Sequence, residues 1–180
     1  MKIEYEVRIL GIDPEKIKTK LLSVGAIHRG DFYLRRCVYD IPGSEDQSWV
    51  RLRQDDVKTT LAVKVRTGNG VKGVAETEVR VDSFINTKQI LDRMHLKFVA
   101  WQENKRTAYQ LGELEFCVDT WPLLPPHLEI EGPDEAAVKK GVTLLGYSLA
   151  QTTTKTMVEI YKDNGLNLHQ YKKLTFAEQV

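Results

Sequence analysis

The sequence is poor in cysteine, and the cysteines that it has are not arranged for a disulfide framework or a metal site. Cys37 and Cys117 are the two thiols in 180 residues, and they lie far apart. Such sparse use indicates a reduced, cytoplasmic protein in which both thiols are buried. The four histidines form no HxH or HExxH pair, which argues against a zinc site of those types.

Long hydrophobic runs and an excess of one charge are also missing. No stretch approaches the roughly 18 apolar residues of a membrane span, and the N-terminus lacks the apolar core of a signal peptide. The 26 Lys and Arg residues nearly balance the 25 Asp and Glu residues, for a net charge of +1. This balance gives no reason to expect nucleic acid or a membrane as a partner. We expect one cytoplasmic domain whose charges act through their local arrangement.

What the sequence does contain is a series of segments in which apolar and charged residues alternate. In IEYEVRI at the N-terminus, the charged residues are Glu4, Glu6 and Arg8. Alternation with a period of two is typical of a β-strand with one apolar and one polar face. The pattern recurs in SWVRLRQ, TTLAVKVR, AETEVRV, GELEFCVDTW and HLEIEG. Two further extended segments are predicted at AIHRGDFYLRRCVYDIPG and KFVAWQENKRTAYQL, so strands dominate the prediction.

Helices are predicted between the strands, at DPEKIKTKLLSVG, DSFINTKQILDRMHL, GPDEAAVKKGVTLLGY and TTTKTMVEIYKDNG. Asp13 and Asp134 open the first and third of these helices. The apolar stripe of the second is expected to consist of Ile85, Ile90, Leu91 and Met94. GSEDQS and TGNGVKG are predicted to be a loop and a turn. The tail from Leu166 to Val180 has weak periodicity and is expected to fray.

The charged faces of the predicted strands are segregated by sign, and two architectures explain this. One is an open antiparallel sheet with helices on its apolar face and water on its charged face. The other is a sheet curled into a barrel, with the charges pointing into the lumen. Unpaired charges in such a lumen would be costly, but clusters of both signs balance each other. A balanced lumen would fill only when an anion and a cation enter together.

The order of the charged motifs resembles that of a known family. Glu4-x-Glu6-x-Arg8 resembles the ExExK signature of the CYTH proteins, which are also called triphosphate tunnel metalloenzymes. Later motifs follow in the family's order: VRLR, LAVKVR, ETEVR, NKRTAY, CVD, LEIE and TTTKTMVEIY. The resemblance covers roughly residues 1 to 162. It implies an α+β fold: a closed eight-stranded antiparallel β-barrel, or tunnel, with helices packed outside. We expect this domain to span residues 1–165, followed by a C-terminal tail of residues 166–180.

The resemblance also implies which residues form the site. A triphosphate carries about three to four negative charges, which suits arginine because its forked guanidinium meets phosphate oxygens in pairs. The implied phosphate-binding residues are Arg8, Arg51, Arg53, Lys64, Arg66, Arg106 and Lys155. The implied cofactor is Mg²⁺ or Mn²⁺, which needs hard oxygen ligands. The implied metal ligands are Glu4, Glu6, Glu76, Glu78, Asp119, Glu129 and Glu131. Those expected to act in catalysis are Arg8, Lys64 and Asp119.

Several of these roles have plain structural alternatives. Arg8 stands where the signature has a lysine, and because it cannot deprotonate it is unsuited to the general-base role proposed for that lysine. It either contacts phosphate or forms a lumen salt bridge with Glu4 or Glu6. Lys155 is either a surface residue of a helix or a cation at the tunnel mouth. The three tryptophans either stack on a substrate ring or pack in the core or at the rim.

Two reactions and one binding function fit the implied site. The first reaction is metal-dependent hydrolysis of tripolyphosphate or of an organic triphosphate such as ATP or thiamine triphosphate. The alternative is that of a class IV adenylate cyclase, which makes cyclic AMP and pyrophosphate from ATP. The third possibility is a non-catalytic binder of polyphosphate or nucleotide. In each case the expected partner is a small molecule, and the protein is expected to be a monomer or a homodimer.

Overall fold

The structure is a computed structural model that describes residues 1–44, 47–68, 70–71 and 73–180. Parts of the predicted loop GSEDQS and of the predicted turn TGNGVKG lie outside the described residues. No helix within the described ranges is both long enough and apolar enough to cross a membrane.

Eight strands form a closed antiparallel β-barrel. They are β1 (Lys2–Leu10), β2 (Ile27–Asp40), β3 (Ser48–Gln54), β4 (Thr59–Arg66), β5 (Val74–Val81), β6 (Lys97–Leu111), β7 (Leu114–Thr120) and β8 (His127–Gly132). Their order is β2-β3-β4-β5-β1-β8-β7-β6, and pairing of β6 with β2 closes the circle. The predicted α+β barrel is confirmed, and the alternative of an open sheet is wrong.

In the described part of the chain four α-helices accompany the barrel: α1 (Pro14–Ser23), α2 (Phe84–Arg93), α3 (Glu135–Leu144) and α4 (Met157–Asp163). The side chains of Asp13 and Asp134 accept hydrogen bonds from backbone N–H groups at the starts of α1 and α3, as predicted for N-caps. The predicted stripe of α2 is wrong in part. Leu91 is buried together with Phe84, whereas Ile85, Ile90 and Met94 are about 60% exposed.

The apolar faces of the strands point outward and pack beneath the helices. Val7 and Ile9 of β1 are buried in a cluster that includes Leu21 of α1 and Val138 of α3. A second cluster packs α2 against β2 and β3. Because successive side chains of a strand alternate, burying these apolar residues outside turns the charged residues inward. The apolar core of this protein therefore lies around the barrel, and its charges lie within.

The C-terminal segment packs against the barrel, and the expectation that it frays is wrong. Residues Lys173–Leu174 form a short strand, β9, which pairs in parallel with β6 beyond the end of β7. Leu174 is fully buried in an apolar cluster with Trp121 and with Ile160 and Tyr161 of α4. The segment before α4 also joins the barrel wall, because Thr153 forms a β-bridge with Arg8.

Candidate active site

The charged residues of the strands line one lumen and face their neighbours on adjacent strands. Arg8 lies opposite Glu129, Glu6 opposite Glu131, and Lys64 opposite Glu76. The predicted site residues on the strands have side-chain exposures of 2% to 29%; they are Glu4, Glu6, Arg8, Arg51, Arg53, Lys64, Arg66, Glu76, Glu78, Arg106, Asp119, Glu129 and Glu131. The structure thus places every predicted site residue except Lys155 along the lumen.

Arg8 and Arg106 hold one group of carboxylates. The Nη2 of Arg8 donates to Glu6 and to Glu129, each over 2.8 Å. Arg106 donates to both oxygens of Asp119, at 2.8 and 2.6 Å, and to Glu129 at 2.9 Å. Burial alone would raise the pKa of Glu129, but Arg106 and Arg8 outweigh it and lower that pKa. Arg8 forms the lumen salt bridge that was one of its two predicted roles, with Glu6 and not with Glu4.

Lys64 and Arg51 hold a second group. The Nζ of Lys64 lies 2.9 Å from Glu4 Oε2 and 3.0 Å from Glu76 Oε2. Arg51 donates to Glu76 at 2.8 Å and to Glu78 at 3.1 Å. Burial, helped by a hydrogen bond shared with Glu76, raises the pKa of Glu4 to about 8, while Lys64 opposes the rise. In Glu76 the hydrogen bond from Glu4 and the charges of Arg51 and Lys64 outweigh burial and lower the pKa. The two carboxyl groups therefore share one proton near neutral pH.

The remaining predicted residues lie toward the ends of the barrel. Glu131 contacts Lys2 at 3.3 Å, and burial raises its pKa against the effect of Lys2. Arg66 lies 3.8 Å from Glu159 of α4. Lys155 precedes α4, so its predicted place on a helix is wrong. Its side chain is about half exposed, and its Nζ pairs with Asp163 at 2.5 Å. Its backbone carbonyl, however, accepts a hydrogen bond from Arg8 at 3.1 Å.

His127 and Arg36 are lumen residues that the sequence prediction missed. His127 is almost fully buried, and its Nε2 has no hydrogen-bond partner within the described part of the chain and lies 4.0 Å from Asp119 Oδ2. Arg36 of β2 lies opposite Arg53 of β3, with its guanidinium 4.5 Å from the centre of the Trp121 ring. In the doublet Arg35–Arg36 the sequence does not show which arginine points into the lumen, because alternation requires only that one of the two does. For His127 the available signal was its place directly before LEIE, two residues from Glu129 and therefore on the same face of the strand.

The side chains in the lumen fit a divalent metal ion. Single ligand atoms of Asp119, His127 and Glu129 all lie within 4.8 Å of one another. Glu4 Oε2 is a buried carboxylate oxygen that contacts Lys64 but accepts no hydrogen bond in the described structure. Mg²⁺ and Mn²⁺ prefer hard oxygen ligands of this kind. The carboxylates would first have to leave their lysine and arginine partners.

The sequence from residue 2 to 157 matches the family model described as the CYTH domain. The chain belongs to the CYTH family. CYTH proteins are metal-dependent enzymes that bind triphosphate substrates. No curated protein matches the sequence.

Several solved structures resemble this one in fold. The PH1012 protein from Pyrococcus horikoshii OT3 is 19% identical, with a TM-score of 0.76, and the alignment covers 87% of this chain and 98% of that one. A putative adenylate cyclase from Vibrio parahaemolyticus is 14% identical, with a TM-score of 0.73 and coverages of 89% and 98%. The putative adenylyl cyclase HpAC1 from Hippeastrum is 16% identical, with a TM-score of 0.60 and coverages of 91% and 96%. At these identities the likeness concerns the fold alone.

Proposed function

We propose that this CYTH protein is a divalent-metal-dependent triphosphatase that binds a triphosphate inside the barrel and hydrolyses it. The observation that carries the proposal is the pairing of charges in the lumen. Glu76 and Glu129 each contact two cationic side chains. An anion entering alone would leave these buried carboxylates without partners, and a cation entering alone would do the same to the arginines. The lumen is therefore suited to a metal ion and a phosphate chain that enter together.

Binding would proceed by exchange of partners. Arg8 and Arg106 would pass from Glu129 to phosphate oxygens, and Arg51 would pass from Glu76. We assign the binding of the phosphate chain to Arg8, Arg51, Arg53, Lys64, Arg66 and Arg106. Lys155, the remaining predicted phosphate-binding residue, lies outside the barrel wall. The carboxylates along the lumen are the proposed metal ligands, namely Glu4, Glu6, Glu76, Glu78, Asp119, Glu129 and Glu131. His127 would add one nitrogen beside Asp119.

The residues proposed to act in catalysis have distinct tasks. Glu129 and Glu6 outweigh burial and raise the pKa of Arg8, so Arg8 acts as a permanent cation and not as a base. Lys64 neutralises charge on the phosphate chain, and Asp119 fixes the plane of the Arg106 guanidinium through two hydrogen bonds. Mg²⁺ or Mn²⁺, when bound, would stabilise charge on the scissile phosphoryl group and orient the attacking water.

A product assay tests the proposal. The purified protein is incubated with Mg²⁺ or Mn²⁺ and, in parallel, with tripolyphosphate, ATP and thiamine triphosphate, and the products are resolved. Release of orthophosphate is the expected result. The Glu4→Gln variant, which removes a proposed metal ligand, should lose this activity. Full activity in that variant would contradict the metal assignment, and binding without turnover would make the protein a non-catalytic polyphosphate binder.

Adenylate cyclase activity is the second candidate. It is favoured by the likeness to barrels named as putative cyclases from Vibrio parahaemolyticus and Hippeastrum. The Hippeastrum protein is also described as having a dominant triphosphatase activity, which supports hydrolysis as the first choice. A cyclase would convert ATP to cyclic AMP and pyrophosphate in the same assay, with no orthophosphate.

A further inference from the structure

Arg36 and Arg53 lie directly opposite each other on neighbouring strands of the barrel, and both side chains point into the lumen. Residues paired in this way have Cβ atoms roughly 5 Å apart, and like charges in such positions are destabilising. The positive charges of Arg51 and Arg106 also act on Arg36. Several arginines this close together in a partly buried lumen are destabilising, so a function that uses their positive charge would explain why they are there.

Arg36 is the lumen arginine that the proposed site leaves without a role. It donates to the side-chain oxygen of the fully buried Asn104 and lies over the Trp121 ring. Its Nε is buried and has no hydrogen-bond partner, and within the described ranges no carboxylate lies within 4.0 Å of its guanidinium. Arg8, Arg51 and Arg106, by contrast, each contact two carboxylates. Burial, followed by Arg51, Arg53 and Arg106, lowers the pKa of Arg36, while Asp119 opposes this.

The neighbours of Arg36 fix it in place without neutralising it. Trp121 supplies a flat aromatic surface and Asn104 a neutral acceptor, so neither cancels the positive charge. The Trp121 ring belongs to the apolar cluster formed with α4 and β9, and this cluster holds the ring. A cation that is held rigidly but left uncompensated is preorganised for an anion.

We propose that Arg36, together with Arg53 and Arg106, forms an anion subsite that receives a phosphoryl group of the triphosphate beside the Trp121 ring. The proposal rests on the proposed function, because it assumes that the lumen binds a phosphate chain. Among the described residues Arg53 has one long carboxylate contact, 3.5 Å to Glu78, so its guanidinium is also largely available. Arg36 brings a charge to the substrate without having to leave a carboxylate, unlike Arg8, Arg51 and Arg106.

The subsite has a signature that separates it from a structural role. If Arg36 serves to bind an anion, Arg36→Gln removes repulsion between like charges in the empty lumen while keeping an amide that can donate to Asn104. The ligand-free variant should then be at least as stable as the wild type. If Arg36 instead serves to hold the fold, the ligand-free variant should be less stable.

The test uses the full chain, saturating Mg²⁺ and the non-hydrolysable imido analogue of tripolyphosphate, with binding followed by isothermal titration calorimetry. Arg36→Gln should weaken binding about ten- to a hundredfold, the usual range for losing charge-assisted hydrogen bonds. Arg36→Lys should recover part of that loss because it restores the charge. Arg35→Gln is the matched control: Arg35 is the adjacent residue, its side chain is half exposed, and it lies on the other face of the strand. The control should bind within about twofold of the wild type.

Wild-type affinity in Arg36→Gln would overturn the subsite and leave the proposed function intact. So would an equal loss in Arg35→Gln, or a ligand-free Arg36→Gln protein that unfolds at a clearly lower temperature while binding the analogue normally. If Arg36→Gln does not fold, Arg36→Lys decides: a loss of affinity with stability unchanged supports the subsite, and wild-type affinity overturns it. No binding by the wild type would overturn the proposed function together with the subsite.

Discussion

Replacing Glu4 by Gln tests the shared proton that the lumen places between Glu4 and Glu76. The pKa of Glu4 is raised from 4.5 to about 8 in the folded protein, chiefly by burial. A carboxyl group whose pKa is raised on folding contributes its full stability below the unfolded pKa, and this contribution is lost as the pH rises toward the folded pKa. The loss amounts to about 1.4 kcal/mol for each pH unit between the two values. Between pH 5 and pH 8 this group alone should therefore cost the wild type about 4 kcal/mol.

Glutamine imitates the protonated form of Glu4, because its amide can donate a hydrogen bond to Glu76 and it does not titrate. The lowered pKa of Glu76 acts below about pH 4.5, outside this range. Urea unfolding of the ligand-free proteins at half-unit steps from pH 5 to pH 8 gives the comparison. The two proteins should have similar free energies of unfolding at pH 5, and the variant should be the more stable at pH 8. Stability curves that stay parallel across this range would refute the shared proton.

Two further predictions concern stability. Arg106→Met should lower the free energy of unfolding by about 3 kcal/mol, because it leaves two buried carboxylates short of a partner. The control Lys88→Met, at an exposed ion pair, should lower it by less than about 1 kcal/mol. Equal effects of the two substitutions in urea unfolding would contradict the pairing of charges in the lumen. Leu174→Ala should lower the free energy of unfolding by about 2 to 5 kcal/mol because this side chain is fully buried, whereas Leu149→Ala, at an exposed side chain, should lower it little. Equal losses of stability in the two variants would mean that packing of the tail does not stabilise the barrel.

The barrel could be anticipated because alternation fixes which residues share a face. Once Val7 and Ile9 are assigned to the core, Glu6 and Arg8 must lie on the opposite face, and a lumen is where both signs of charge can be buried together. Closure itself depends on the pairing of β2 with β6, a contact between distant segments that no local pattern encodes. The resemblance to CYTH proteins supplied that part.

The parts that could not be anticipated depend on tertiary packing. The tail lacks periodicity because β9 has two residues and is held by a cluster drawn from the segment after β7, from α4 and from the tail itself. In α2, Ile85, Ile90 and Met94 satisfy a helical spacing but lie outside the contact with β3, where Phe84 and Leu91 are buried. Arg36 was missed because what distinguishes it is the lack of a nearby carboxylate among the described residues. That lack can be seen only once the strands are assembled into the lumen.

The exchange of partners inside the lumen is the central claim, and the coupling between metal and phosphate tests it most directly. The affinity of the imido analogue of tripolyphosphate is measured by calorimetry once in EDTA and once with saturating Mg²⁺. Because the arginines can leave their carboxylates only when a metal takes their place, Mg²⁺ should tighten binding of the analogue at least about tenfold. Equal or weaker binding with Mg²⁺ would contradict the exchange, since it would mean that the carboxylates take no part in holding the complex.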